Sequence, residues 1–374
     1  MTKSSGLTGF HEYCLTKGLP FVSYRLPGEK VPLTIISNSG IKKVPETNDL
    51  HIPGFLMVPF HESHPKLWLD ADQTFYGDDF SAFDLMAIQN EAFKKPLISD
   101  DQLPEASGKT EYFKKINILL QSIHSGRVNK VVLSRPLLIE FNRLKESSLL
   151  FSGLMKALPT AFVYLLSFPG AGTWIGATPE LLLKAHYNFK DQNAMISTMA
   201  LAGTRKTGSS QPWGSKEIDE QQWVAKDISQ KLLRSGCTGI EQSEAYTVVA
   251  GNVEHLRTDF TAKSNKYNIL DLSEQLHPTP AICGWPAEQA LELILSVENY
   301  DRSYYSGYLG PVNISNQTSL FVNLRCMKIA EKEASLFVGG GITSGSVAEN
   351  EWEETLIKSR TLLAEIEKIR NLAS

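Results

Sequence analysis

The run Val128-Asn129-Lys130-Val131-Val132-Leu133-Ser134-Arg135 reads as a β-strand, β-branched and apolar between polar ends. Period-two alternation puts Lys130 on the face shared by Val128 and Val132. A charged lysine on an apolar face is costly, and desolvation moves it towards the range of a general base. The same residue could equally be an edge-strand lysine that reaches water. Two helical glutamates offer complementary chemistry. Glu220 precedes Val224, Ile228 and Leu232 at successive i+4 steps, in line with a buried stripe. A carboxylate there is unfavourable unless it is paired or binds a cation. Glu354 and Lys358 are also i, i+4, the spacing of a solvated ion pair. Alternatively, two such carboxylates could share a hard divalent cation such as Mg²⁺, completed by water and an anionic substrate.

Other segments could contact substrate. Gly339-Gly340-Gly341-Ile342 ends a strand and reads either as a tight turn or as backbone open to an anion. Leu201-Ala202-Gly203-Thr204-Arg205 has the same two readings, with Gly203 and Thr204 as possible polar contacts. Arg325 interrupts an apolar strand and offers a bidentate fork for a carboxylate, or a structural ion pair. His277, in Leu276-His277-Pro278-Thr279-Pro280, is a loop hydrogen-bonder.

The elements that must position these residues are mostly strands. Short strands are expected at 33–36, 54–58 and 67–69, then a helix from Ser107 that stops at Gly126. A helix at 149–158, strands at 161–168 and 180–184, a helix at 215–234 and strands at 246–250, 319–329 and 335–338 follow, before a helix at 350–369. Short turns join many strands, which favours an α+β class of antiparallel sheets flanked by helices. Neither GxGxxG after a strand nor GxxxxGK[ST] occurs, which argues against a doubly wound nucleotide fold.

Composition narrows the function. The 42% hydrophobic and 21% charged content is that of a globular protein with a sizeable core. A net charge of −4 disfavours nucleic acid as a partner. The four scattered cysteines lack metal-ligand spacing and suit cytosolic thiols. Residues Met1 to Phe10 show no secretory pattern, and no apolar run is long enough to span a bilayer, so a cytoplasmic protein is expected.

Together these segments resemble the chorismate-utilising enzymes: isochorismate synthases, salicylate synthases, anthranilate synthase large subunits and aminodeoxychorismate synthases. The resemblance is carried by Lys130-Val131-Val132-Leu133-Ser134-Arg135, Gly176-Ala177-Thr178-Pro179-Glu180-Leu181-Leu182, Leu201-Ala202-Gly203-Thr204-Arg205 and the 216–224 segment. It continues through Leu276-His277-Pro278-Thr279-Pro280-Ala281, Tyr300-Asp301-Arg302 with Tyr305-Ser306-Gly307, the 321–326 segment, Gly339-Gly340-Gly341-Ile342 and Glu351-Trp352-Glu353-Glu354-Thr355 with Lys358. These blocks keep the family's order across about 109–369.

The resemblance implies one domain over 1–374, with a variable part at 1–107 and a motif-bearing part at 108–370. Two large packed antiparallel sheets with outer helices would enclose a cleft. It implies an isochorismate synthase, in which Lys130 deprotonates water and Glu180, held protonated, is the acid for the departing hydroxyl. Glu220 and Glu354 would hold Mg²⁺. Lys358, Arg325, Gly203, Thr204 and Gly339, Gly340 and Gly341 would bind chorismate, with Tyr305 and His277 lining the pocket. Ala202 stands where aminodeoxychorismate synthases carry a nucleophilic lysine, and Lys130 where anthranilate synthases usually carry glutamine, so water is the expected nucleophile. Gln221 departs from the histidine or asparagine usual after the first metal glutamate. No amidotransferase subunit is needed, and a monomer is expected. Salicylate synthase, which goes on to eliminate pyruvate, and a non-catalytic chorismate binder are the alternatives. The product would feed menaquinone or catechol siderophore assembly, menaquinone being preferred.

Overall fold

Alternating apolar strands build two antiparallel sheets in the computed structural model, which describes residues 6–44, 52–80, 102–188, 193–250, 253–264 and 269–373. Residues 1–5, within the opening segment Met1 to Phe10, and parts of the 1–107 stretch lie outside the described residues. The first sheet runs, in spatial order, through Gly284–Trp285, Lys130–Glu140, Glu333–Thr343, Cys326–Ile329, Gly172–Thr178, Phe162–Phe168, Phe21–Arg25, Leu33–Ile36 and Gln73–Tyr76. The second runs through Thr238–Gln242, Val253–Ser264, Asn193–Lys206, Leu181–Asn188, Gln317–Val322, Tyr308–Val312, Gly54–Val58, Leu67–Asp70 and Ile41–Lys43, with Tyr246–Ala250 also paired to Val253–Ser264. The architecture is α+β, as the strand-rich sequence implies.

Apolar inner faces hold the sheets together. Val22, Ile35, Phe162 and Tyr164 from the first sheet pack with Phe55, Met57, Leu309 and Phe321 from the second. Phe162 and Phe321 stack in parallel across the interface, centroids 4.3 Å apart. Each fully buried side chain of this kind contributes about 1.5–3 kcal/mol. Helices Gly6–Lys17, Arg143–Ala157 and Ala348–Ala373 cover the outer face of the first sheet through Phe10, Leu150, Leu154, Leu362 and Ile366. Helix Ser215–Arg234 buries Val224, Ile228 and Leu232 against Ala200 and Phe260 of the second, the stripe visible in its sequence. Strand Phe21–Arg25 pairs with Phe162–Phe168, and Gly54–Val58 with Tyr308–Val312. The N-terminal stretch thus contributes strands to both sheets.

Several expected elements differ. The helix expected at 149–158 starts at Arg143, because the Asn142 side chain accepts from Lys145 N and caps it earlier. The single strand expected at 319–329 is two, Gln317–Val322 in the second sheet and Cys326–Ile329 in the first, and Arg325 between them adopts φ 47°. The Gly339–Gly341 run is no turn. Strand Glu333–Thr343 passes straight through it, with Gly341 opposite Val132 of the Lys130 strand. The 201–205 segment is likewise in a strand, where Gly203 at φ 72° forms a bulge between Ala202 and Thr204.

Candidate active site

A cleft opens where the chain crosses from one sheet to the other. Pro179 and Glu180 carry it from the first sheet to the second, and 323–325 carry it back. The crossings are tied together: Val322 N donates to Glu180 O and Ala177 N to Arg325 O, each at 3.0 Å. Both side chains thereby line the cleft, with Ala202, Gly203, Thr204, Glu220, Tyr305, Gly339, Gly340, Gly341, Glu354 and Lys358. Burial pushes the Glu180 carboxyl up to about 7, although Lys130, Lys358 and Arg325 pull the other way. Arg325 Nη1 is steadied by Thr361 Oγ1 at 2.9 Å.

Three ammonium groups meet three carboxylates beside this crossing. Lys130, fully buried, places Nζ 2.7 Å from Glu220 Oε1. The contact is an ion pair without hydrogen-bond alignment. Lys130 is thus not on a purely apolar face, and it lies behind Glu220 rather than in the cleft wall. Lys358 Nζ donates to Glu354 Oε1 at 2.6 Å and to Gly339 O at 2.8 Å, so this i, i+4 pair faces the site and not solvent. Lys216 Nζ donates to Glu351 Oε1 at 2.6 Å. Burial raises Glu351, against the opposing pull of Lys216. Burial would also raise Glu354, but Lys358, Lys216 and Arg325 outweigh it and hold that carboxyl below its ordinary value.

The remaining wall is well supported. His255 Nδ1 bonds Gly203 O at 2.9 Å; since a carbonyl only accepts, Nδ1 carries the proton and Nε2 is the ring's acceptor. Thr204 Oγ1 lies 3.2 Å from the same nitrogen. Burial lowers His255 to about 3, so the ring is neutral. Tyr305 stacks on Phe337, centroids 5.1 Å apart. Behind them Arg302 is buried and bonds both oxygens of Glu298, Ile282 O and Val132 O. His277 does not line the cleft: its Nε2 bonds Ser306 O at 2.9 Å, and Ser306 lines it instead. Burial lowers His277 to about 4, so its Nε2 donates to that carbonyl as a neutral ring. Glu351, His255 and Lys216 enter the site without having been singled out from the sequence.

The donor set suits a hard cation, since every candidate is a carboxylate oxygen. Glu351 Oε2 is buried without a hydrogen-bond partner of good geometry. A Cβ at Gly340 would stand 3.3 Å from that oxygen and 3.4 Å from Glu354 Oε1, so the glycine keeps open the space where the two carboxylates face each other. Among the described residues no three His, Cys, Asp or Glu side chains converge as a complete cluster. Mg²⁺ does not require one, because it is commonly held by one or two carboxylates plus water and substrate oxygens. Glu351 and Glu354, with Glu220 alongside, fit it.

A sequence model of the family described as chorismate binding enzyme matches residues 82–367. Isochorismate synthase EntC of Escherichia coli (strain K12) is 30% identical over 248 residues, which cover 63% of this chain and 62% of that protein. Isochorismate synthase MenF of Bacillus subtilis (strain 168) is 29% identical over 271 residues, 70% of this chain and 56% of that protein. The match thus spans less than two thirds of either relative's length. The solved structure of MenF, the menaquinone-specific isochorismate synthase of Escherichia coli, has the same fold, with a TM-score of 0.73 at 23% identity over 92% of this chain and 88% of that one. With the family match covering most of the chain and the sheets and cleft in place, the chain belongs to the chorismate-binding enzymes.

Proposed function

We propose that the protein is an isochorismate synthase: it adds water to C2 of chorismate and expels the 4-hydroxyl, giving isochorismate. The observation that carries this reading is a glutamate in the cleft wall, Glu180, that burial raises to about 7, with the buried Lys130 set behind Glu220 of the same wall. Lys130 rests as an ammonium against Glu220; having released that proton to solvent, its Nζ takes one from the attacking water. Protonated Glu180 gives one to the departing hydroxyl, so a water enters and a water leaves. Arg325 and Lys358 supply the cationic contacts for the substrate carboxylates. Mg²⁺, held by Glu351 and Glu354 with Glu220 beside them, would polarise and fix a substrate carboxylate. Ala202 leaves no lysine for a covalent aminase route, so the reaction calls for no amidotransferase partner and a monomer suffices. Four buried free thiols suit a reducing cytosol. No helix among the described residues is long and apolar enough to cross a membrane.

Chromatography of the products from purified protein, chorismate and Mg²⁺ tests the proposal. Isochorismate in equilibrium with chorismate is expected. Salicylate with pyruvate would reassign the protein as a salicylate synthase, and binding without turnover would make it a non-catalytic relative.

A further inference from the structure

We infer that Lys216 is a built-in counter-cation of the carboxylate cluster, which competes with a divalent cation and keeps metal affinity low until the dicarboxylate substrate is present. The inference rests on the assignment of Glu351 and Glu354 to Mg²⁺. Lys130 and Lys358 have roles towards water and substrate, whereas Lys216 has none, yet its ammonium is 2.6 Å from Glu351 Oε1. Its charge also acts on Glu354 and Glu220. Glu220, Glu351 and Glu354 therefore face Lys130, Lys216 and Lys358, one ammonium to each carboxylate, and the cluster is formally neutral.

A dication entering a neutral cluster gains far less than one entering three unpaired carboxylates. Of the three lysines, Lys216 is the most exposed, and Lys358 is held in addition by Gly339 O. Lys130 is fully buried, while the Lys216 side chain is 27% exposed on the first turn of its helix and can swing its ammonium into water on a flexible stem. Chorismate brings two carboxylates, which restore negative charge around the metal position. Metal and substrate then raise each other's affinity by the same factor, as linkage requires. A purely structural Lys216, clamping helix Ser215–Arg234 to the terminal helix, would have the opposite signature, since its removal would loosen Glu351.

Calorimetric titration of Mg²⁺ into the full chain, stripped with EDTA, separates the two. Without chorismate, Lys216→Gln should bind Mg²⁺ roughly tenfold more tightly than the unsubstituted protein. Lys216→Arg should bind as the unsubstituted protein does, and the gain in Mg²⁺ affinity on adding chorismate should shrink in Lys216→Gln. Unchanged or weaker binding in Lys216→Gln overturns the inference. Thermal unfolding reports whether that variant is folded, and Lys216→Ala serves if it is not. Absence of Mg²⁺ binding in every protein, with chorismate present, would overturn the metal assignment itself; binding that Lys216→Gln leaves unmoved sinks only the role of Lys216.

Discussion

Glu180 is set apart from the neighbouring acids by burial, which pushes its carboxyl up to about 7. A general acid must be protonated, so kcat/KM falls as pH rises through about 7. In Glu180→Gln that limb should vanish and turnover should fall roughly 10²–10⁴-fold; an unaltered pH profile would remove Glu180 from the role. The same shift bears on stability. The raised folded value stands above an ordinary 4.5, so its contribution is complete below about 4.5 and is lost as pH rises through about 7. The loss is about 3 kcal/mol, and thermal unfolding of the glutamine variant should lack it. Residues such as Lys130 and Glu220 were legible because a charge breaks an apolar period. Glu351 sits in an acid-rich helix start where carboxylates are ordinary, and His255 is a lone histidine in a strand. Only the fold brings them to Lys216 and Gly203.

At the scale of elements, the Glu333–Thr343 strand shows why a glycine run is not always a turn. The residues it omits are side chains, and the space is taken by groups from three other elements. A Cβ at Gly341 would collide with Glu220 Oε1 and stand 2.8 Å from Lys130 Cε. Gly341→Ala should therefore cost about 10²-fold in turnover by displacing both groups, with only a small change in thermal midpoint. Gly345→Ala, with nothing within 4 Å of its Cβ, is the control and should retain activity. Equal turnover in the two variants would count against the close-packed pair. The split of the 319–329 segment between two sheets is equally silent in the sequence: its apolar pattern continues on both sides of Arg325, and nothing local signals a change of sheet.

Over the whole molecule, the α+β class was readable from the excess of strands and short connections, but the strand order was not. Pairing Phe21–Arg25 with Phe162–Phe168, and Gly54–Val58 with Tyr308–Val312, depends on contacts more than a hundred residues apart. These long-range pairings set the sheets face to face, so that Lys130 and Glu354 on the first sheet's side meet Glu220 and Gly203 on the second's. The site therefore belongs to the sandwich as a whole. In the proposed reaction water enters the ring at C2 and the original hydroxyl leaves. Mass spectrometry of isochorismate made in oxygen-18-labelled water tests this most directly. The account predicts one labelled oxygen at C2 with the unsubstituted protein and almost no labelled product with Lys130→Ala; unlabelled isochorismate would show that the hydroxyl migrates and contradict it.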